Sequence, residues 1–270
     1  MTSPQSQLIK QNKQRIAHQF SRAAGQYDAV AKVQLDIALD AQAMLPANSS
    51  LLLDIGCGTG RITQRLVTHS EQVLAMDLAF GMLQHASITT QKYPEQSIKW
   101  LQGDAEQLPV RSHSLDTIFS SMALQWCPHP ERVLSELYRV LVPKGQAVLA
   151  IMTAGSFTEL SHSWAYIDKN RHVNEFHSSQ TWLQAALKNN LNVDIKTQCY
   201  QTWHPNIRHL LASIKGVGAN ILLDTQLRPT ANSSLNRHML SALEEIYFSQ
   251  YGVDQQLPLS YQITFLRCVK

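Results

Sequence analysis

The chain is poor in the residues that mark specialised classes. Cysteine occurs four times in 270 residues (Cys57, Cys127, Cys199, Cys268) and never as a CxxC pair. That spacing excludes a disulfide framework and a zinc ribbon, and it is the usage expected of reduced thiols in the cytoplasm. No apolar run reaches the ~18–20 residues a membrane span needs. The stretch from Met1 to Gln7 lacks the basic-then-apolar order of a signal peptide. Charged residues make up 16% and the net charge is +3, too dilute for a nucleic-acid surface. Glycine (11) and proline (10) are scattered, so collagen-like and low-complexity classes fall away. None of the eleven histidines pairs as HxxxH or HExxH, and no metal site is expected. Hydrophobic residues, at 44%, are abundant enough to fill the core of one large domain.

Residues 8–45 predict two helices, with Ile9, Ile16 and Phe20 on one face of the first and Val30, Val33, Ile37, Ala41 and Met44 on one face of the second. Gly25 is expected to separate them. Strand and helix then alternate. Strands are expected at 51–55, 72–77, 97–102, 115–120 and 146–152, with helices at 61–68, 80–92 and 131–141. Apolar strands between helices imply a parallel sheet covered on both faces. After Met152 the pattern changes to helices at 156–169, 178–189, 206–216 and 234–250, with strands at 192–203 and 259–265. The reading is one domain over 1–270: N-terminal helices at 1–45, a ligand-binding α/β core at 46–153, and lid helices with the last two strands at 154–270.

The sharpest feature is Leu53-Asp54-Ile55-Gly56-Cys57-Gly58-Thr59-Gly60, at the first strand-to-helix turn. Three glycines let the backbone turn tightly and approach a ligand. The spacing is GxGxG, whereas a dinucleotide loop places its third glycine one residue later. Asp54 would repel a pyrophosphate but suits an ammonium group. Asp77 ends the second strand, where a carboxylate can take both hydroxyls of a ribose; the plainer alternative is a cap for the following helix. Asp104 follows the third strand and can accept from an adenine amine, with Ala105 supplying a backbone N–H. Ammonium, ribose and adenine sites across successive strand ends describe S-adenosylmethionine (SAM). Leu78 and Met82 join this set, and Tyr27 and Trp126 are candidates to close the pocket. Cys57 reads as a small spacer in the loop.

From Leu51 to Thr153 the chain resembles a class I SAM-dependent methyltransferase: the loop at 53–60, Asp77, the segments 103–109 and 114–116, and Glu136 to Gly145 carry the likeness. The resemblance implies a Rossmann-like, seven-stranded, mostly parallel sheet with helices on both faces and a helical lid, its last strand inserted antiparallel. A narrower likeness spans nearly the whole chain. Phe20-Ser21-Arg22-Ala23-Ala24-Gly25-Gln26-Tyr27-Asp28, Leu124-Gln125-Trp126-Cys127, Gly155 to Leu160, His172 to Phe176, Ile214 to Asn220 and Pro258 to Tyr261 resemble the malonyl-acyl carrier protein O-methyltransferases of biotin synthesis. That family methylates the free carboxylate of a malonyl thioester, so the implied partner is malonyl-acyl carrier protein or malonyl-coenzyme A. Family members carry Arg at the position of Ala212; Arg208 lies one turn earlier on the same face.

A malonyl carboxylate is already anionic, and no general base is expected for it. Arg208, Lys215, Arg171 and His172 are the candidates to steer that anion. Lys10, Lys13, Arg15, Arg22, Arg208, Lys215 and Arg237 are expected to form a basic rim for an acidic carrier. Three other readings stay open: a methyltransferase of a quinone or other small molecule, a nicotinamide oxidoreductase, and a non-catalytic SAM- or carrier-binding module.

Overall fold

The computed structural model describes residues 4–90, 98–219, 222 and 237–270. Positions 91–92, 97, 220 and 234–236 of the expected elements lie outside this set. The element order is α1 (Pro4–Val30), α2 (Lys32–Gln42), β1 (Ser49–Ile55), α3 (Thr63–Leu66), β2 (Ser70–Asp77), α4 (Phe80–Thr89), β3 (Ile98–Gln102), β4 (Leu115–Ser121), α5 (Pro130–Val140), β5 (Leu141–Met152), α6 (Thr158–Ala165), α7 (Ser179–Lys188), β6 (Asn192–His204), α8 (Ile207–Gly216), α9 (Arg237–Tyr251) and β7 (Leu257–Val269). A short 3₁₀ turn, Leu124–Trp126, follows β4.

One seven-stranded sheet runs in the order β3-β2-β1-β4-β5-β7-β6. The first five strands are parallel; β7 is antiparallel to both β5 and β6. The chain leaves β1 toward β3 and returns on its other side at β4. The crevice above β1 and β4 is therefore the topological switch point, where open α/β sheets bind ligands. Pro130 opens α5, where its missing N–H costs nothing, and Val133, Leu134, Leu137 and Val140 bury one stripe against the sheet. Each such side chain contributes roughly 1.5–3 kcal/mol when removed from water.

Three expectations change. Gly25 does not divide the first two helices: α1 runs through it, and the break falls at Ala31. Nothing lies within 4 Å of a side chain built at Gly25, so an exposed helical glycine costs only about 1 kcal/mol. β5 begins at Leu141, earlier than the Pro143-Lys144-Gly145 stop signal allowed, because the ladder with β4 tolerates a bulge there. The lid helices expected within 154–270 also do not include α7. Trp182, Ala185 and Ala186 of α7 pack in one buried cluster with Val133, Leu134 and Leu137 of α5, which covers the face opposite α2. The helices that line the cavities over the crevice include α1, α2 and α8. Among the described residues no helix is long and apolar enough to cross a membrane.

Candidate active site

The glycine loop is fastened to the sheet by its own backbone. The N–H groups of Gly56 and Cys57 both donate to the Met76 carbonyl, at 2.7 and 3.0 Å. Gly56 has φ +75°, and a Cβ there would lie 2.2 Å from the Cβ of Ala123. Gly58 has φ +55° with open space where a Cβ would stand. Its N–H donates to Asp77 Oδ2 at 2.9 Å, while Ala79 N–H donates to Oδ1 at 2.7 Å. Asp77 thus braces the loop and the start of α4 at once; of the two roles weighed for it, these bonds bear on the helix-start role and not on the ribose. Burial pushes its carboxyl above the usual range, and the N–H donors pull it partly back.

Three cavities meet over the switch point. The first is lined by Tyr27, Gly56, Gly58, Asp77, Leu78, Met82, Asp104, Ala105 and Trp126, among others. The second lies under the loop, lined by Tyr27, Asp28, Gln34, Asp54, Cys57, Gly58 and Thr59. Asp54 is 2% exposed there and accepts from Thr63 Oγ1 at 2.6 Å; burial lifts its pKa to about 7. The third is bounded by Phe20, Tyr27, Gln34, Gln125, Trp126, Phe157, Ile214 and Tyr261. Aromatic edge contacts wall it in: Phe20 to Trp126 (5.8 Å), Trp126 to Phe176 (6.3 Å), Phe176 to Phe157 (6.3 Å) and Phe157 to Tyr261 (5.0 Å). Tyr27 and Met122 line all three spaces. Burial and the charge of Asp77 keep the Tyr27 phenol protonated.

Sequence reasoning and structure part at several residues. Gly60 lines none of these cavities; its close neighbours are Trp100, Ala86 and Thr90, so it is a packing glycine. Cys57 is buried with its thiol pKa raised well above normal by burial, which fits a spacer. The four proposed carboxylate-steering groups do not reach the cavities that meet at Tyr27. Arg208 and Lys215 are exposed on α8, whose inner face presents Ile214 instead. Arg171 and His172 line a separate cleft against α6. There His172 stacks on Trp164 at 3.9 Å and its Nε2–H donates to Asp168 at 2.9 Å. Lys13 is no rim cation either: Nζ lies 2.5 Å from Asp104 and also pairs with Glu106, at the mouth of the first cavity.

Several residues were missed. Asp28 accepts from Thr59 Oγ1 at 2.8 Å and, through its carbonyl, from Arg61, latching α1 onto the loop. Gln34, Ser121 and Gln125 each bury a polar atom that has no partner among the described residues. All three line the joined cavities, and the only other such atom is the Trp182 indole nitrogen. Buried polar groups are nearly always paired, so this clustering marks a place built to receive a ligand.

A model described as a methyltransferase domain matches residues 53–149. The chain is 37% identical over 262 residues to a malonyl-[acyl-carrier protein] O-methyltransferase of Serratia marcescens, covering 94% of each. It is 35% identical to one of Yersinia pestis, covering 94% of this chain and 90% of that one. Among solved structures, the YcgJ protein of Bacillus subtilis shares the fold with a TM-score of 0.61 at 17% identity, over 87% of this chain and 97% of that one. With relatives this similar aligned over nearly their full length, the chain belongs to the malonyl-[acyl-carrier protein] O-methyltransferase family of methyltransferases.

Proposed function

We propose that this chain methylates the free carboxylate of a malonyl thioester carried on an acyl carrier protein, using SAM, as a cytoplasmic step toward biotin. The observation that carries this reading is the lining of the third cavity. Among the described residues around it there is no Asp, Glu, His, Lys or Arg. A phenol or carbon acceptor, as in a quinone methyltransferase, needs a base; an acceptor that is already anionic needs none.

The described residues fit SAM. Gly58 leaves open space for a ligand at the loop, Asp77 faces it from the end of β2, and Asp54 lies in the adjoining space under the loop. Asp77 would hold the ribose, Asp104 and Ala105 the adenine edge, and Asp54 the ammonium group. When bound, SAM supplies a methyl group on sulfonium sulfur, and transfer to a carboxylate oxygen forms C–O, breaks C–S and moves no proton. The chain's own part is positioning. Phe20, Tyr27, Met122 and Trp126 line both the first and the third cavity, and of these only Tyr27 and Trp126 carry a side-chain donor. Their O–H and N–H would orient the acceptor at the boundary. Orientation of this kind contributes up to ~7–11 kcal/mol, and the aromatic wall keeps water from the anion.

The test is methyl transfer from labelled SAM to malonyl carrier protein, with acetyl and succinyl forms as controls. The expected product is a base-labile methyl ester on the malonyl form alone. A base-stable methyl group would favour the small-molecule reading. Asp77→Ala should weaken SAM binding in calorimetry at least tenfold, the loss of a charged hydrogen-bond acceptor.

A further inference from the structure

We propose that Gln125 is a specificity-determining residue: its side-chain carbonyl accepts the amide N–H of a pantetheine arm just behind the acyl thioester. This rests on the malonyl thioester reading above. Gln125 lies in the turn after β4 and is 8% exposed. Its Nε2 donates to the Met122 carbonyl at 2.7 Å. A peptide carbonyl only accepts, so the amide can face one way, with NH₂ toward Met122 and the carbonyl oxygen left over. That oxygen is buried and has no partner among the described residues.

Gln125 borders the third cavity and neither of the other two. It is therefore set apart from the groups that hold SAM and meets whatever carries the acceptor. An ionised carboxylate does not satisfy it, because a carboxylate also only accepts. An N–H donor does. The surrounding wall is mostly apolar, with Met152, Phe157, Ile214 and Val217, and its polar tips belong to Tyr27, Gln34, Trp126 and Tyr261. An unpaired acceptor on a mostly apolar wall matches a slender chain that has methylenes, a thioester and then an amide. Carrier proteins and coenzyme A share that arm. Gln34, with the second unpaired carbonyl, lies on the seam with the second cavity, which Asp54 also lines.

Two synthetic acceptors of one shape separate the contact from everything else. One is the malonyl thioester of N-acetylcysteamine. The other is the malonyl thioester of 2-mercaptoethyl acetate, which places an ester oxygen where the N–H stood. The wild-type chain is expected to favour the amide compound in kcat/KM by about tenfold, mostly through KM, since the ester leaves the carbonyl facing another acceptor. Gln125→Met keeps the length and removes the carbonyl, and should bring the ratio to about one. If that variant fails to fold, the wild-type ratio still decides. Equal use of both compounds overturns the arm contact and leaves the malonyl reading standing. So does a folded Gln125→Met that keeps the preference, or use of neither compound when malonyl carrier protein is methylated. No transfer to any malonyl thioester overturns both readings together.

Discussion

Lys13 of α1 meets Asp104 across 91 residues of sequence, its Nζ 2.5 Å from Oδ2. The same ammonium pairs with Glu106, whose side chain is 5% exposed. Burial alone would lower the lysine's pKa, but the two carboxylates outweigh it and the pKa rises. The lysine stays charged across the physiological range, and its share of the pairing is lost as pH climbs through its raised value. It ties the helix that carries Ile16, Phe20 and Tyr27 to the far wall of the first cavity.

Lys13→Met should therefore loosen the roof. The site is partly buried, between an exposed pair worth up to about 1 kcal/mol and a buried pair whose breakage costs about 3–5 kcal/mol. A stability loss of about 1–2 kcal/mol is expected, with cofactor dissociation several-fold faster in stopped flow. An unchanged off-rate would show that α1 is held by its apolar contacts alone.

The loop glycines should fail in different ways. Gly56→Ala combines φ +75° with a 2.2 Å overlap on Ala123, and roughly 2–5 kcal/mol of stability should go. Gly58→Ala meets nothing within 4 Å, so only the strain of φ +55° remains, about 1–2 kcal/mol. Its methyl group enters the space meant for ligand. Thermal melts with and without SAM distinguish them: Gly56→Ala lowers Tm in both, whereas Gly58→Ala mainly loses the shift that SAM produces.

That contrast shows what the sequence made legible. The alternation of apolar strands with helices, and an acid at or just after the ends of the first three strands, specified the sheet and part of the lining of the first cavity. Gly60 was indistinguishable from Gly56 and Gly58, because spacing does not say which way an α-carbon faces. Trp182, Ala185 and Ala186 marked an apolar stripe on α7 but not the face it would cover, since α5 and β5 offer equally apolar partners. Lys13 could not be assigned to Asp104 because their meeting depends on the packing of α1 across α4. The cations chosen for the acceptor followed from its charge; the fold sends Arg208 and Lys215 outward and turns Ile214 in.

Asp54 predicts a pH dependence. Its folded pKa is raised to about 7 by burial, with Thr63 lowering it and Asp77 raising it. The folded state then holds a proton that the unfolded chain has released, so stability of the free protein falls as pH rises from about 4 to about 7. An ammonium group beside Asp54 favours the ionised carboxylate. SAM binding should therefore release a proton near neutrality, and its affinity should rise between pH 5.5 and 7.5, below the range of an α-amino group at about 7.7–8.0. Calorimetry in buffers of different ionisation enthalpy reads that proton. Asp54→Asn should abolish the release and flatten the profile; release that persists in the variant would assign it elsewhere.

Carrier docking gives the last prediction. With Lys13 committed to Asp104, the remaining rim candidates described by the structure are Lys10, Arg15, Arg22, Arg208, Lys215 and Arg237, all exposed. Two of them stand on helices that line the third cavity. Phe20 and Tyr27 of α1 and Ile214 and Val217 at the end of α8 line the third cavity, and Gly218 packs against Phe20. Arg22 and Lys215 stand on the outer faces of these same two helices. An arm threading between α1 and α8 would bring an acidic carrier onto both charges. Such rim charges act mainly on association rate, and screening weakens them as the Debye length falls from about 10 Å at 0.1 M salt to about 3 Å at 1 M. With subsaturating malonyl carrier protein, activity should fall steeply with salt; with malonyl-coenzyme A the slope should be shallower. The double variant Arg22→Glu, Lys215→Glu should lower kcat/KM for the carrier substrate by at least tenfold and leave the coenzyme A substrate within about twofold, for a loss of roughly 1.4 kcal/mol or more in steering. Equal salt slopes for the two substrates, with a harmless double variant, would place carrier docking on another face of the molecule.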